Sequence, residues 1–364
     1  MRWPRRAALL IAAALVGAGC TSGRVVSGHI LSAASTPLAT TVDTDSGVWA
    51  VVPMGQLSDP ANTYWQLLYR PNGSNQWVDH VDALATATTG GVNVGSGGAS
   101  LLAGVEATEN LTFSPVIETT DSATSWHNGL LPAALTRMPQ ALAIGPSGQA
   151  AAIVGPAGPH QRLVTGSASN LTSWRDAPGR SCEGGSLNAV RWSGQQFLVG
   201  ATCHQPGMAG VFELSTGKSV GPTLPATDGP VPVVALGGGS TTVSALLVVQ
   251  GNWVVASSPA GSTDWTESNP LTIDPSAIKS IVAEDDGGFL LLSDSFLAEY
   301  QPGGKWIQLP APPPGTATIA HESGGRLSAL VAGGTSLVDW ELGPSGHWVQ
   351  STTLQVPILY GASG

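Results

Sequence analysis

The chain has 364 residues, of which only 10% are charged, while glycine (47) and proline (27) are abundant and apolar residues reach 42%. That apolar content supports a large core and excludes wholesale disorder. The length exceeds one ordinary globular domain unless the fold grows by repetition, and a formal charge of −10 argues against a nucleic-acid partner.

Arg2, Arg5 and Arg6 precede an unbroken apolar run from Ala7 to Val16, followed by Gly17-Ala18-Gly19-Cys20. A basic segment, a short apolar segment and small residues before a cut site make a secretory signal. The run is too short to span a bilayer, which takes roughly 20 residues. The ending Val16-Gly17-Ala18-Gly19-Cys20 resembles the lipobox of bacterial lipoproteins. That resemblance implies that residues 1–19 are removed and that the sulfur of Cys20 carries a diacylglycerol. The residues alone leave an ordinary secretory signal with an incidental cysteine as the alternative. Residues 20–37, rich in Ser, Thr, Ala and Gly, suit a flexible lipid-anchored linker. The remainder, 38–364, is then extracytoplasmic, and loss of three arginines takes the net charge of the mature chain from −10 to −13.

From about residue 38 the chain shows short apolar runs punctuated by glycine, without a sustained helical period. A cassette recurs: a strand, a Ser-Gly or Gly-Gly turn, an apolar second strand, a third strand, and a fourth that opens on tryptophan. The first turns fall at Asp45-Ser46-Gly47, Ser96-Gly97-Gly98, Ser147-Gly148, Ser193-Gly194, Gly237-Gly238-Gly239, Gly287-Gly288 and Gly324-Gly325. The fourth strands open at Trp77, Trp126, Trp174, Lys218 (the exception), Trp265, Trp306 and Trp348, spaced 41–49 residues apart. Four short strands per period, seven times over, predict an all-β, seven-bladed β-propeller of four-stranded antiparallel blades.

The segment Thr119-Thr120-Asp121-Ser122-Ala123-Thr124-Ser125-Trp126 is similar to the Asp-box, or BNR repeat, of sialidase- and sortilin-type propellers, with alanine where the box has glycine. Ser167 to Trp174 keeps part of the pattern. The resemblance implies blade architecture and no activity, because such boxes lie on the face opposite the usual ligand site. For closure of the ring, Val356 to Gly364 reads as a further first strand. The expectation is a latch in which it takes the first-strand slot of blade one, although Leu38 to Asp43 also fits that slot. Closure of either kind removes exposed strand edges.

Cys182 and Cys203 flank the predicted hairpin of blade four and leave an even pair once Cys20 is acylated, so a disulfide stapling its first two strands is expected. The usual ligand face of a propeller carries the blade-to-blade loops and the second-to-third-strand loops. Here those hold Arg137, His160, Arg180, Glu183 and His204. Arg137-Met138-Pro139 is similar to the Arg-Ile-Pro motif of sialidases, whose arginine binds a carboxylate. The tyrosine–glutamate pair and further arginines of that mechanism are not assembled by the sequence. Asp43-Thr44-Asp45-Ser46-Gly47 and Glu284-Asp285-Asp286-Gly287 coincide with turns, where such residues are expected without calcium. No HxH, HExxH or glycine-rich phosphate loop occurs, so no metal or cofactor is expected. The expectation is an anchored, non-enzymatic propeller that binds an envelope protein or a glycan, with a glycan-hydrolysing enzyme as the alternative.

Overall fold

The computed structural model describes residues 38–58, 63–80, 91–106, 114–120, 123–132, 139–156, 158, 160–177, 182, 185–194, 196–224, 227–322 and 325–356. Cys20, Arg137, Arg180 and Glu183 therefore lie outside the described residues. Seven antiparallel sheets succeed one another along the chain, spanning 40–79, 91–131, 141–176, 186–213, 233–267, 278–309 and 316–355. Within each sheet neighbouring strands are consecutive in sequence. This is a seven-bladed β-propeller, and the seven glycine turns each close the hairpin between a first and a second strand.

Burial explains the strand sequences. The second strands are covered by a blade on either side and are apolar nearly throughout, as in Gln149–Val154 and Phe289–Ser293. The outermost strands face solvent and carry mixed sequences, as in Trp348–Gln355. The core is correspondingly divided into seven clusters, one between each pair of adjacent blades. Blade four departs from the pattern. Its sheet holds three strands, and residues 219 and 223 make only isolated bridges to Phe212 and Met208. Lys218 stands there in place of the tryptophan, with Gly217, Gly221 and Pro222 around it, so neither packing nor a full ladder of N–H groups supports a regular strand.

The ring does not close by the expected latch. The first-strand slot of blade one is filled by Thr40–Thr44, paired in register with Gly47 to Val51. Val356 still belongs to blade seven, where its N–H donates to the carbonyl of Thr335, and residues 357–364 lie outside the described residues. Blades one and seven are each complete in themselves, and side chains join them. Arg70 reaches Glu322 and Asp339, Tyr64 donates to the carbonyl of Gly334, and Thr41 donates to that of Ile319. An apolar cluster from Val48, Met54 and Trp77 to Leu330 and Leu337 fills the junction.

Candidate site at the channel mouth

The first strands surround the axis and line a channel cavity of about 190 Å³. On the loop side the polar groups near it are amides and the hydroxyls of Thr40 and Thr41, which donate to the carbonyls of Ile281 and Ile319. Asn93 donates to the carbonyls of Pro139 and Gln140, and Asn188 donates to Thr202 Oγ1 and the carbonyl of Val233. Gln140 and Gln161 hydrogen-bond to each other, and Gln161 also spans to the backbone of Leu187. Those from Asn93 to residues 139 and 140, from Gln161 to Leu187 and from Asn188 to Val233 cross from blade to blade, and together these bonds satisfy groups that burial would otherwise leave costly.

Ionisable groups gather at the opposite mouth, where the first strands run out into their turns. Asp43 comes from blade one, Arg191 from blade four, Glu284 and Asp285 from blade six, and His321 from blade seven. Arg191 reaches across two blade boundaries. Its Nε donates to the carbonyl of Gly238 at 2.9 Å, its Nη1 to that of Ala283 at 3.4 Å, and its Nη2 pairs with Asp285. His321 Nδ1 pairs with Glu284. Asp43 sits half-buried among them; burial first, and then the charges of Asp285 and Glu284, push its carboxyl up from 3.8 to about 7. The bond to Glu284 raises the His321 imidazole above its usual 6.5, against the opposing effect of burial. A carboxyl that exchanges its proton at about 7, fixed in one mouth beside an imidazole raised above its usual value, can transfer protons or hold a cationic group.

Sequence reasoning placed Asp43 and Glu284 in turns and overlooked this convergence. The available signal was a charged or titratable residue at the turn end of several first strands: Asp43, Arg191, Glu284 and His321. The residues expected on the loop face fare differently. His160 and His204 are exposed in the second-to-third-strand connections of the neighbouring blades three and four. Cys182 and Cys203 do form a disulfide, with their Cα atoms 5.3 Å apart. It lies just beyond the last hairpin pair, Ser186 with Thr202, and so ties the open end of the hairpin rather than residues within the strands. Among the described residues no three His, Cys, Asp or Glu side chains are grouped as metal ligands would be, and no helix is long and apolar enough to cross a membrane.

At the third-to-fourth-strand turn of blade two, the N–H of Ala123 donates to Thr119 Oγ1 at 3.2 Å, and Ala123 takes a left-handed φ of 69°. Trp126 packs edge-on to Trp49 of blade one at 5.7 Å.

No family model matches the chain, and no curated protein matches it. Its fold is similar to that of a Bacteroides uniformis protein assigned as a 6-phosphogluconolactonase (TM-score 0.52, 10% identity, covering 86% of this chain and 97% of that one). It is also similar to the periplasmic gluconolactonase of Pseudomonas aeruginosa (TM-score 0.51, 12% identity, covering 84% and 95%). YCF48 from Cyanidioschyzon merolae gives a TM-score of 0.49 at 13% identity, covering 86% and 97%. At these identities the likeness to the first two supports the propeller fold and says nothing about activity.

Proposed function

We propose that this protein is a non-enzymatic binding propeller of the bacterial envelope, held outside the membrane by a lipid on Cys20. The observation that carries the binding reading is how the axis is used. On the loop side, Asn93, Gln161 and Asn188 each donate across a blade boundary and Gln140 is held by Gln161 within blade three, so the channel there acts as a rigid axle for the outer surfaces. The anchor rests on the basic, apolar and small-residue segments that lead to Cys20.

A second reading, hydrolysis at the turn-side mouth, is favoured by Asp43, whose carboxyl sits at about 7 beside the His321–Glu284 pair. The two gluconolactonases of similar fold supply a substrate class for that reading.

One set of measurements tests both. Wild-type protein expressed in bacteria enters the Triton X-114 detergent phase, and Cys20→Ser enters the aqueous phase; equal partitioning of the two would overturn the anchor. The purified protein is then assayed with gluconolactone, aryl glycosides and fluorogenic sialosides. The binding reading expects no turnover above background. Turnover that disappears in Asp43→Asn replaces it with the hydrolytic reading.

A further inference from the structure

Six blades carry an indole on the fourth strand, at its entry in five and, against expectation, inside it in blade three, where the strand already begins at Asn170 and Trp174 is its fifth residue; each indole packs against the preceding blade. Trp77 lies in the cluster shared with blade seven, Trp126 in that shared with blade one, and Trp174 in that shared with blade two. Trp265, Trp306 and Trp348 repeat the arrangement against blades four, five and six. Three also donate their Nε1–H backwards: Trp77 to Asp339, Trp265 to the carbonyl of Val220, and Trp348 to that of Pro310. Blade four has Lys218 at this position, its carbonyl accepting from the N–H of Glu213, and the lysine is exposed.

Close by, at the foot of blade four, is a cleft of about 600 Å³ that runs from Gln149 of blade three to Ser240 and Gly261 of blade five. Its wall is Trp192, partly exposed, which meets Phe197 edge to face at 4.9 Å. Phe197 and Leu214 form a buried floor. Trp192 is held flat against blade three because residue 145 is glycine; a Cβ there would stand 2.8 Å from the indole. The remaining lining supplies amides and hydroxyls, from Gln149, Gln196, Ser215 and Ser240 among others, and no charged side chain among the described residues lines the cleft.

We propose that this cleft is a binding site for a neutral saccharide. The inference rests on the binding reading above and names the ligand class of a second place on the ring. A pyranose has an apolar face of C–H groups and a rim of hydroxyls that both donate and accept. It fits an aromatic surface flanked by neutral groups that also do both, which is what Trp192 and the surrounding glutamines and serines provide. The volume lies within the roughly 300–1,000 Å³ of small-molecule sites. A sialic acid, uronic acid or sugar phosphate would bring a charge that nothing in the cleft pairs, at a desolvation cost.

The test is calorimetric titration of the detergent-solubilised full-length protein with maltotriose, cellotriose and triacetylchitotriose, with 3′-sialyllactose as the anionic control. At least one neutral trisaccharide binds, and the anionic one binds about tenfold more weakly or not at all. Trp192→Ala weakens binding about tenfold, the worth of an aromatic contact. Gln149→Ala, on an exposed side chain, weakens it with folding unaffected. Ser215→Trp, at an exposed position of the lining, fills the cleft and abolishes binding while the melting temperature holds. Absence of binding to every neutral probe overturns the proposal. Binding that ignores all three substitutions also overturns it, yet leaves the binding-propeller reading standing. Cleavage of a bound saccharide that depends on Trp192 upholds the cleft and overturns the non-enzymatic reading instead.

Discussion

Arg70 and Asp339 are 269 positions apart in sequence and meet 2.5 Å apart as a buried ion pair across the junction of the first and last blades. Trp77 lies beneath the guanidinium at 4.6 Å and donates its Nε1–H to the same carboxylate at 2.9 Å, while Glu322 approaches Arg70 Nε at 2.7 Å. Burial lowers the pKa of Arg70, and the neighbouring carboxylates oppose that shift. Where the ring has no exchanged strand, this assembly ties its two ends.

Removing one partner of a buried pair leaves the other charge uncompensated, which costs about 3–5 kcal/mol. Arg70→Met and Asp339→Asn are each expected to destabilise the protein by that amount in urea unfolding. The double variant Arg70→Met/Asp339→Leu recovers a large part of the loss. A single-variant cost below about 1 kcal/mol would show that the ring is held closed by its apolar cluster and the other hydrogen bonds between blades one and seven.

The mouth of the channel makes stability depend on pH. Asp43 keeps its proton in the folded state up to about 7, whereas its ordinary value is 3.8. Between those values the folded state binds more protons than the unfolded one, so stability falls as pH rises from about 4 to about 7. The limiting slope is about 1.4 kcal/mol per pH unit for one proton. His321, raised above 6.5, acts in the same direction, its contribution disappearing as pH rises through the elevated value. Thermal melts across pH 4–8 should show this decline, and Asp43→Asn should flatten it and be more stable than wild type at pH 8. An unchanged profile in the variant would assign the slope to other groups.

The disulfide between Cys182 and Cys203 closes a loop of 21 residues in sequence separation, worth about 3 kcal/mol in the chain-entropy account. The paired replacement Cys182→Ser/Cys203→Ser is expected to lower unfolding stability by about that much. Native protein should show no reactive thiol from this pair before reduction.

Ala123 holds a left-handed φ of 69° at the place where the Asp-box pattern has glycine. An L-residue in that conformation costs about 1–2 kcal/mol relative to unstrained backbone. Ala123→Gly is therefore expected to raise stability by up to about 1 kcal/mol, part of the gain being offset by the entropy of glycine in the unfolded chain. A loss of stability would mean that the methyl group's contact with the blade-one and blade-two cluster outweighs the strain.

Sequence determined the parts of this protein that repeat. The seven glycine turns, the tryptophan period and the alternation of buried second strands with polar outer ones are set by neighbours within some 45 residues, because a blade is built from consecutive hairpins. The cysteine pair was legible for the same reason, since its residues flank a single hairpin. Even the gap at Lys218 was visible as a break in the period. Tertiary structure alone decided everything that compares one blade with a distant one. Asp43, Arg191, Glu284 and His321 are unremarkable strand-end and turn residues until closure of the ring brings them into one mouth. The first-strand slot of blade one had two fitting candidates, Thr40–Thr44 and the C-terminal segment, with similar β-forming sequence. Strand propensity could not choose between them, because the choice rests on how blade seven meets blade one, where Arg70 finds Asp339.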